Sequence, residues 1–106
     1  MSRYMFIARY DSAGVKGVVS KGGTARAAVI EKLAADLGGR METFDFAFGE
    51  DDVYTLCELP DNRAAAAVAL AVNSTGLAHV RTVVLMSPED VDAATKQKVN
   101  YTPPGK

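Results

Sequence analysis

The sequence predicts one α+β domain, in which four strands form an antiparallel sheet and helices cover one face of it. The chain has 106 residues, which is the usual size of one domain and too short for two. Strand-like apolar runs alternate with segments whose apolar residues recur at helical spacing. We therefore expect a single domain over residues 1–106, with an extended arm from about residue 100, where two prolines exclude a helix.

The first strand is predicted over residues 3–10, because aromatic and branched side chains fill this segment. The run Asp11 to Gly14 then predicts a loop, and Lys16 falls in the glycine-containing segment that continues it. Polar groups at strand ends and in the loops after them are often offered to a ligand. Arg9, Tyr10 and Lys16 are therefore candidate binding residues, although an exposed Arg-Tyr pair more often serves solubility.

The first helix is predicted to begin at Thr24, its expected N-cap, and to end at Gly38, where glycine can adopt the left-handed conformation. One apolar stripe at helical spacing supports it. That stripe consists of Ile30, Leu33, Ala34 and Leu37.

The segment just before this helix, Lys21 to Thr24, raises the question of a phosphate-binding loop. A Walker loop places Gly-Lys-Ser/Thr directly after a strand, whereas Lys21 precedes the glycines here. The free amides of the helix start could still bind an anion beside Lys21 and Arg26. An ordinary capped helix is the favoured interpretation.

A β-hairpin is predicted next, with strands over residues 40–48 and 52–59 joined by the turn Gly49-Glu50-Asp51. The register stays open between a two-residue and a three-residue turn. The parity of that choice decides which face of the second strand joins the phenylalanines of the first. The sequence therefore leaves open whether Tyr54 or Cys57 faces the helices.

The second helix is predicted over residues 62–73, after the cap at Asp61. Its alanines and valines occupy nearly every side, which is typical of a helix buried on more than one side. A second copy of the chain could supply the additional cover, although alanines are also simply good helix formers. The fourth strand is predicted over residues 79–86, and Ser87 and Pro88 predict a terminal helix over residues 89–98.

The resulting order is βαββαβ with a C-terminal helix, which is the ferredoxin-like, split βαβ plan. Two helices cover one face of such a four-stranded sheet and leave the other bare. Most positions of all four strands are apolar, so the bare face should expose a large apolar patch. We expect a second copy to cover this patch, which predicts a homodimer or a higher oligomer.

The net charge limits the partners that we expect, and the cysteine content indicates the compartment. Twelve basic residues against thirteen acidic ones give a net charge of −1, so we expect neither nucleic acid nor an anionic membrane as a partner. No signal peptide or membrane span is recognisable. The single cysteine, Cys57, fits a reducing compartment, and we expect a cytoplasmic protein. Its mid-strand position predicts a buried structural thiol.

His79 is the only histidine, and it heads the fourth strand. Histidine is the side chain that most often serves as a general base, although a surface histidine is the commoner case. Glu50, Asp51 and Asp52 crowd one turn, where carboxylates could bind a divalent cation. Turns favour acidic residues in any case, and the calcium-loop spacing is absent, so a solvated turn is favoured and no metal site is predicted.

Three segments together resemble the bacterial GYD-domain family along nearly the whole chain: ARYDSAGVKGVVSKGGTARAAVIEKLAADLGGRMETFDFAFGEDDVY, ELPDNRAAAAVALAVNSTG and TVVLMSPEDVDAATKQKVNYTPPG. The Gly-Tyr-Asp element that names the family is matched by the segment Gly49 to Asp52, in which an acid replaces the tyrosine. The resemblance implies a ferredoxin-like fold of the dimeric α/β-barrel type, in a family without an established biochemical role. Neighbouring families of that barrel type include cofactor-free monooxygenases, muconolactone isomerase-like enzymes and heme-handling proteins.

Two functional hypotheses follow. In the first, the protein is a homodimer that binds, and in one version converts, a small apolar or aromatic molecule in a cleft between sheet and helices. Its candidate ligand-binding residues are Arg9, Tyr10, Lys16, Asp52 and His79. In the second, the protein is a non-catalytic homo-oligomeric scaffold or regulatory module without a ligand cavity. The sequence identifies neither a catalytic residue nor a cofactor, and it does not decide whether the protein is an enzyme.

Overall fold

A computed structural model describes residues 1–105 of the chain and contains four strands and four helices. The strands are β1 (Ser2–Tyr10), β2 (Arg40–Phe46), β3 (Val53–Leu59) and β4 (Ala78–Leu85). The helices are α1 (Ser12–Lys21), α2 (Gly23–Asp36), α3 (Asn62–Ser74) and α4 (Pro88–Thr95). Residues 96–105 form neither helix nor strand, and Lys106, at the end of the predicted arm, lies outside the described residues.

The four strands form one antiparallel sheet in the order β2-β3-β1-β4. This order confirms the ferredoxin-like prediction, because each βαβ half contributes one central and one edge strand. The core lies on the face covered by α2 and α3. There Tyr4 and Leu59 are fully enclosed, and Phe6, Cys57 and Val68 are buried with them.

The register of the β2–β3 hairpin decides which side chains enter this core. Met41 pairs with Cys57, but Thr43 pairs with Leu56, so Glu42 is an extra residue in a β-bulge. Because of the bulge, Met41 and Phe44 point to the same face of the sheet as their cross-strand partners, Cys57 and Thr55. The face left undetermined by the sequence is thereby assigned, with Cys57 toward the helices and Tyr54 on the opposite side.

The loop predicted after β1 is wrong, because residues 12–21 form helix α1. The Asp11 side chain caps it by accepting a hydrogen bond of 3.0 Å from the Gly14 amide. Val15, Val18 and Val19 have helical spacing, a signal that the glycines at positions 14 and 17 obscured.

The predicted N-cap of the next helix is also wrong. Gly22 is the N-cap of α2, no side chain caps this helix, and Thr24 lies within its first turn. Gly22 has a φ of +89°, a conformation that glycine adopts without strain and threonine would not. The positive φ separates α1 from α2 without a loop.

The predicted caps of the other helices are confirmed, whereas α4 ends at Thr95 and not at the predicted residue 98. The Asp61 side chain caps α3, and Ser87 and Asp90 form a reciprocal capping box at the start of α4. Gly38 has the expected left-handed conformation after α2. Within one chain α3 buries only Ala65 and Val68, and its Leu70 is 72% exposed. The second cover proposed for this helix therefore stays a prediction.

The face of the sheet away from the helices carries an apolar centre with a charged border, and we call it the open face. Its centre contains Met5, Ile7, Leu56, Val83 and Leu85, to judge from the strand register. Ion pairs lie around this centre, joining Arg3 to Glu42, Arg40 to Glu58 and Arg81 to Asp51. No helix among residues 1–105 is long and apolar enough to span a membrane.

Candidate functional site

A cleft of about 510 Å³ lies between α1, α2, α3 and the end of β1. We call it the interhelical cleft. Its volume lies within the range of about 300–1,000 Å³ that is common for small-molecule sites. It is formed within a single chain, on the helix side of the sheet, and the open face contributes nothing to it.

Each helix presents one face to the interhelical cleft. The α1 residues that line it are Ala13, Gly14, Gly17, Val18 and Lys21. The lining residues at the start of α2 and along it are Gly22, Ala25, Arg26, Val29, Ile30 and Leu33. Both sets recur at three- and four-residue intervals, which is the spacing of one helix face. Ala71, Val72 and Thr75 at the end of α3 close the third side.

Small residues on α1 create the space. At Gly14 an added Cβ would collide with the Leu77 carbonyl oxygen, so the glycine permits α1 to approach the segment before β4. The Asp11 amide donates a hydrogen bond of 3.1 Å to the same carbonyl oxygen. At Gly17, by contrast, a Cβ would meet nothing within 4 Å. The close approach at Gly14 therefore fixes the position of α1, and the absence of a side chain at Gly17 leaves space in the cleft.

Arg26 lies at the inner end of the interhelical cleft. Its guanidinium carbon is 5.9 Å from the centre of the Tyr10 ring, which is within cation–π range. The Arg26 Nε atom is enclosed and has no hydrogen-bond partner among the described residues.

A second, smaller void of about 40 Å³ lies deeper between the helices and the sheet, and Tyr10 and Arg26 line both spaces. Cys57 and Thr55 border the small void. Burial raises the pKa of the Cys57 thiol, so the thiol stays protonated near neutral pH. The side chain is 2% exposed, which confirms the prediction of a buried structural cysteine.

Tyr10 and Asp52 meet at the end of the sheet, but through different groups. The Asp52 carboxylate accepts a hydrogen bond of 2.8 Å from the Tyr10 backbone amide. The Asp52 amide donates to the Ala8 carbonyl, and the Asp52 carbonyl accepts from Ala47, both at 2.8 Å. Asp52 thus joins the ends of β1 and β2, while the Tyr10 side chain lines the interhelical cleft.

The remaining candidates do not line the cleft. Arg9 and His79 are paired neighbours on β1 and β4, and both are exposed on the open face. Lys16 is exposed on α1. The structure therefore separates Arg9 and His79 from the Tyr10 side chain by the thickness of the sheet.

Two residues of the acidic turn, Asp51 and Asp52, make different contacts. Asp51 forms an ion pair of 3.1 Å with Arg81, and it lies 3.5 Å from the Tyr54 hydroxyl. Asp52 instead contacts backbone amides of the sheet. Among residues 1–105, no group of three or more histidine, cysteine, aspartate or glutamate side chains is arranged to hold a metal ion.

The fold and the cleft define a small α+β protein with a ferredoxin-like sheet and an apolar interhelical space. The family model described as GYD domain matches residues 4–95, and the chain belongs to this family. Asp52, which joins β1 to β2, lies within the matched segment. Comparisons with curated proteins and with solved structures found no significant match.

Arg26 and the interhelical cleft were not among the predicted ligand-binding features. The sequence places Arg26 only in the less favoured interpretation, in which the start of this helix binds an anion beside Lys21 and Arg26. The available signal was a cationic residue on the apolar stripe of α2, four residues before Ile30 and seven before Leu33. An arginine in that position faces the same side as the core residues.

Proposed function

We propose that the protein binds a small apolar or aromatic molecule in the interhelical cleft. The observation that carries this proposal is the open cleft of about 510 Å³ between three helices of one chain. The lining is mostly apolar, with a few polar side chains at defined positions, which is the usual composition of a ligand site. Tyr10 is the predicted ligand-binding residue that lines this space.

Filling the cleft from α1 tests this proposal. Gly17→Phe places an aromatic ring in a direction where nothing lies within 4 Å of the Cβ atom, so the variant should fold and occupy the cleft. We expect it to lower the affinity for an aromatic probe such as N-phenyl-1-naphthylamine at least about tenfold, since the ring displaces the probe from its apolar contacts. Fluorescence titration measures the affinity.

Val19→Phe is the matched control, because Val19 is on the same helix, is 80% exposed and does not line the cleft. It should leave the affinity within about twofold. Equal binding by Gly17→Phe and the parent protein would show that the probe binds elsewhere, and the proposal would be rejected.

We also propose that two copies associate through their open faces. The open face has an apolar centre, and three of the arginines around it, Arg3, Arg40 and Arg81, are already paired with acidic residues of the same chain. A second copy could therefore cover the apolar centre without leaving these charges unpaired. This arrangement places both interhelical clefts on the outer sides of the dimer.

A single charge at the centre of the open face should weaken this association. Val83 is 39% exposed there, and Val83→Glu would bury an unpaired carboxylate in the interface. We expect the dimer dissociation constant, measured by analytical ultracentrifugation, to rise at least about tenfold. The control Val19→Glu adds the same charge on α1. A parent chain that sediments as a monomer at micromolar concentration would contradict the dimer.

Dimerisation without ligand binding would correspond to the alternative function, a homo-oligomeric scaffold or regulatory module. The exposed outer side of α3, including Leu70, offers a further surface for such assembly. The presence of the interhelical cleft favours the ligand-binding function over this alternative.

A further inference from the structure

We infer that the ligand of the interhelical cleft is an amphipathic organic anion, with an apolar or aromatic body and one acidic group. This inference rests on the proposed function and adds the chemical class of the ligand. The acidic group would bind at Arg26, with Lys21 as a second cation, and the body would occupy the space between α1, α2 and α3.

The charge of the lining carries the first step. Lys21 and Arg26 both line the interhelical cleft, and no aspartate or glutamate does so. Neither residue forms an ion pair among the described residues, in contrast to Arg3, Arg40 and Arg81 on the open face. The cleft therefore has two positive charges without an internal counterion, which favours an anion in a partly desolvated space.

The state of the Arg26 guanidinium carries the second step. Its Nε atom is enclosed and has no hydrogen-bond partner. This is not true of either Nη nitrogen. The Nη nitrogens therefore retain access to the cleft or to solvent. An arginine fork matches the two oxygens of a carboxylate or a related acid group. The Tyr10 ring, 5.9 Å from the guanidinium carbon, limits the directions that the fork can take.

The apolar residues that line the cleft indicate the chemistry of the rest of the ligand. Val18, Val29, Ile30, Leu33 and Val72 supply a continuous apolar wall. The Thr75 hydroxyl already donates to the Val72 carbonyl and accepts from the Leu77 amide, so it has little capacity left for a ligand. Recognition of polar groups should therefore be concentrated at the cationic end of the cleft.

A pair of fluorescent probes that differ by one acidic group tests this inference. The anion is 1-anilinonaphthalene-8-sulfonate, and N-phenyl-1-naphthylamine is the same aromatic body without the sulfonate. We expect Arg26→Met to lower the affinity for the anion about tenfold or more, since hydrogen bonds to charged groups are lost, and to leave the affinity for the neutral probe within about twofold. Lys21→Met, at an exposed position, should weaken only the anion, by about twofold to threefold.

The outcomes separate this inference from the function on which it depends. If Gly17→Phe removes binding of both probes but Arg26→Met and Lys21→Met change neither, the cleft binds ligands without selecting anions, and the inference is overturned. If Gly17→Phe changes neither probe, the cleft is not the binding site and the proposed function fails first. Thermal unfolding of each variant shows whether the chain still folds.

Discussion

Replacing Tyr4 by alanine should cost about 3–5 kcal/mol in the free energy of unfolding, which is the usual range for a buried aromatic residue. Tyr4 is a fully enclosed residue of β1, and its ring lies 6.3 Å from that of Phe6. The substitution removes these contacts and leaves a cavity between the sheet and α3. Urea denaturation followed by circular dichroism measures the effect.

Tyr4→Phe separates the hydroxyl from the ring. The Tyr4 hydroxyl donates a hydrogen bond of 2.7 Å to the Asn62 side chain at the start of α3. Because Asn62 is exposed, water can replace the lost donor, and we expect a loss of about 1 kcal/mol. The control Tyr101→Ala, at a side chain that is 71% exposed, should change stability by less than about 0.5 kcal/mol. A similar loss for Tyr4→Ala and Tyr101→Ala would contradict the described core.

The same substitution should have opposite effects at two glycines of α1. Gly14→Ala introduces a Cβ atom that collides with the Leu77 carbonyl oxygen, so α1 must shift, and we expect a loss of about 1–3 kcal/mol. Gly17→Ala meets no neighbour and replaces glycine in a helix interior, so we expect a gain of up to about 1 kcal/mol.

The contrast between these two variants is informative because both change a glycine of one helix by one methyl group. It is measured as the difference between the two unfolding midpoints in urea at constant slope. Equal stabilisation by both substitutions would mean that α1 does not rest against Leu77. The wall of the interhelical cleft would then not be fixed as described.

Much of the fold could be predicted because the succession of strands and helices along the chain, and the helix caps, depend on local sequence. The apolar runs of the four strands, the caps at Asp61 and Ser87, and the stop at Gly38 all correspond to features of the structure. The β-bulge at Glu42 could not be predicted, because the pairing partners of β2 determine where its extra residue lies. Helix α1 could not be predicted because two glycines lower its local helix propensity, and the packing of Gly14 against Leu77 is a tertiary contact.

The binding region was predicted less well, for a related reason. The strand-end argument correctly selected Tyr10 as a residue beside a concave space. It could not separate Arg9 from Tyr10, because alternation along a strand places them on opposite faces and only the covering helices distinguish those faces. Arg26 contributes through its position beside the Tyr10 ring, which depends on the tertiary packing of α2 against the end of β1.

The most direct test of ligand binding in the interhelical cleft is a map of amide chemical shifts on the ¹⁵N-labelled protein during titration with 1-anilinonaphthalene-8-sulfonate. We predict that the largest changes occur at Gly17, Ala25, Val72 and Thr75, which line the cleft. Changes confined to Met5, Leu56 and Val83 on the open face would contradict the proposal, because they would place the probe on the opposite side of the sheet.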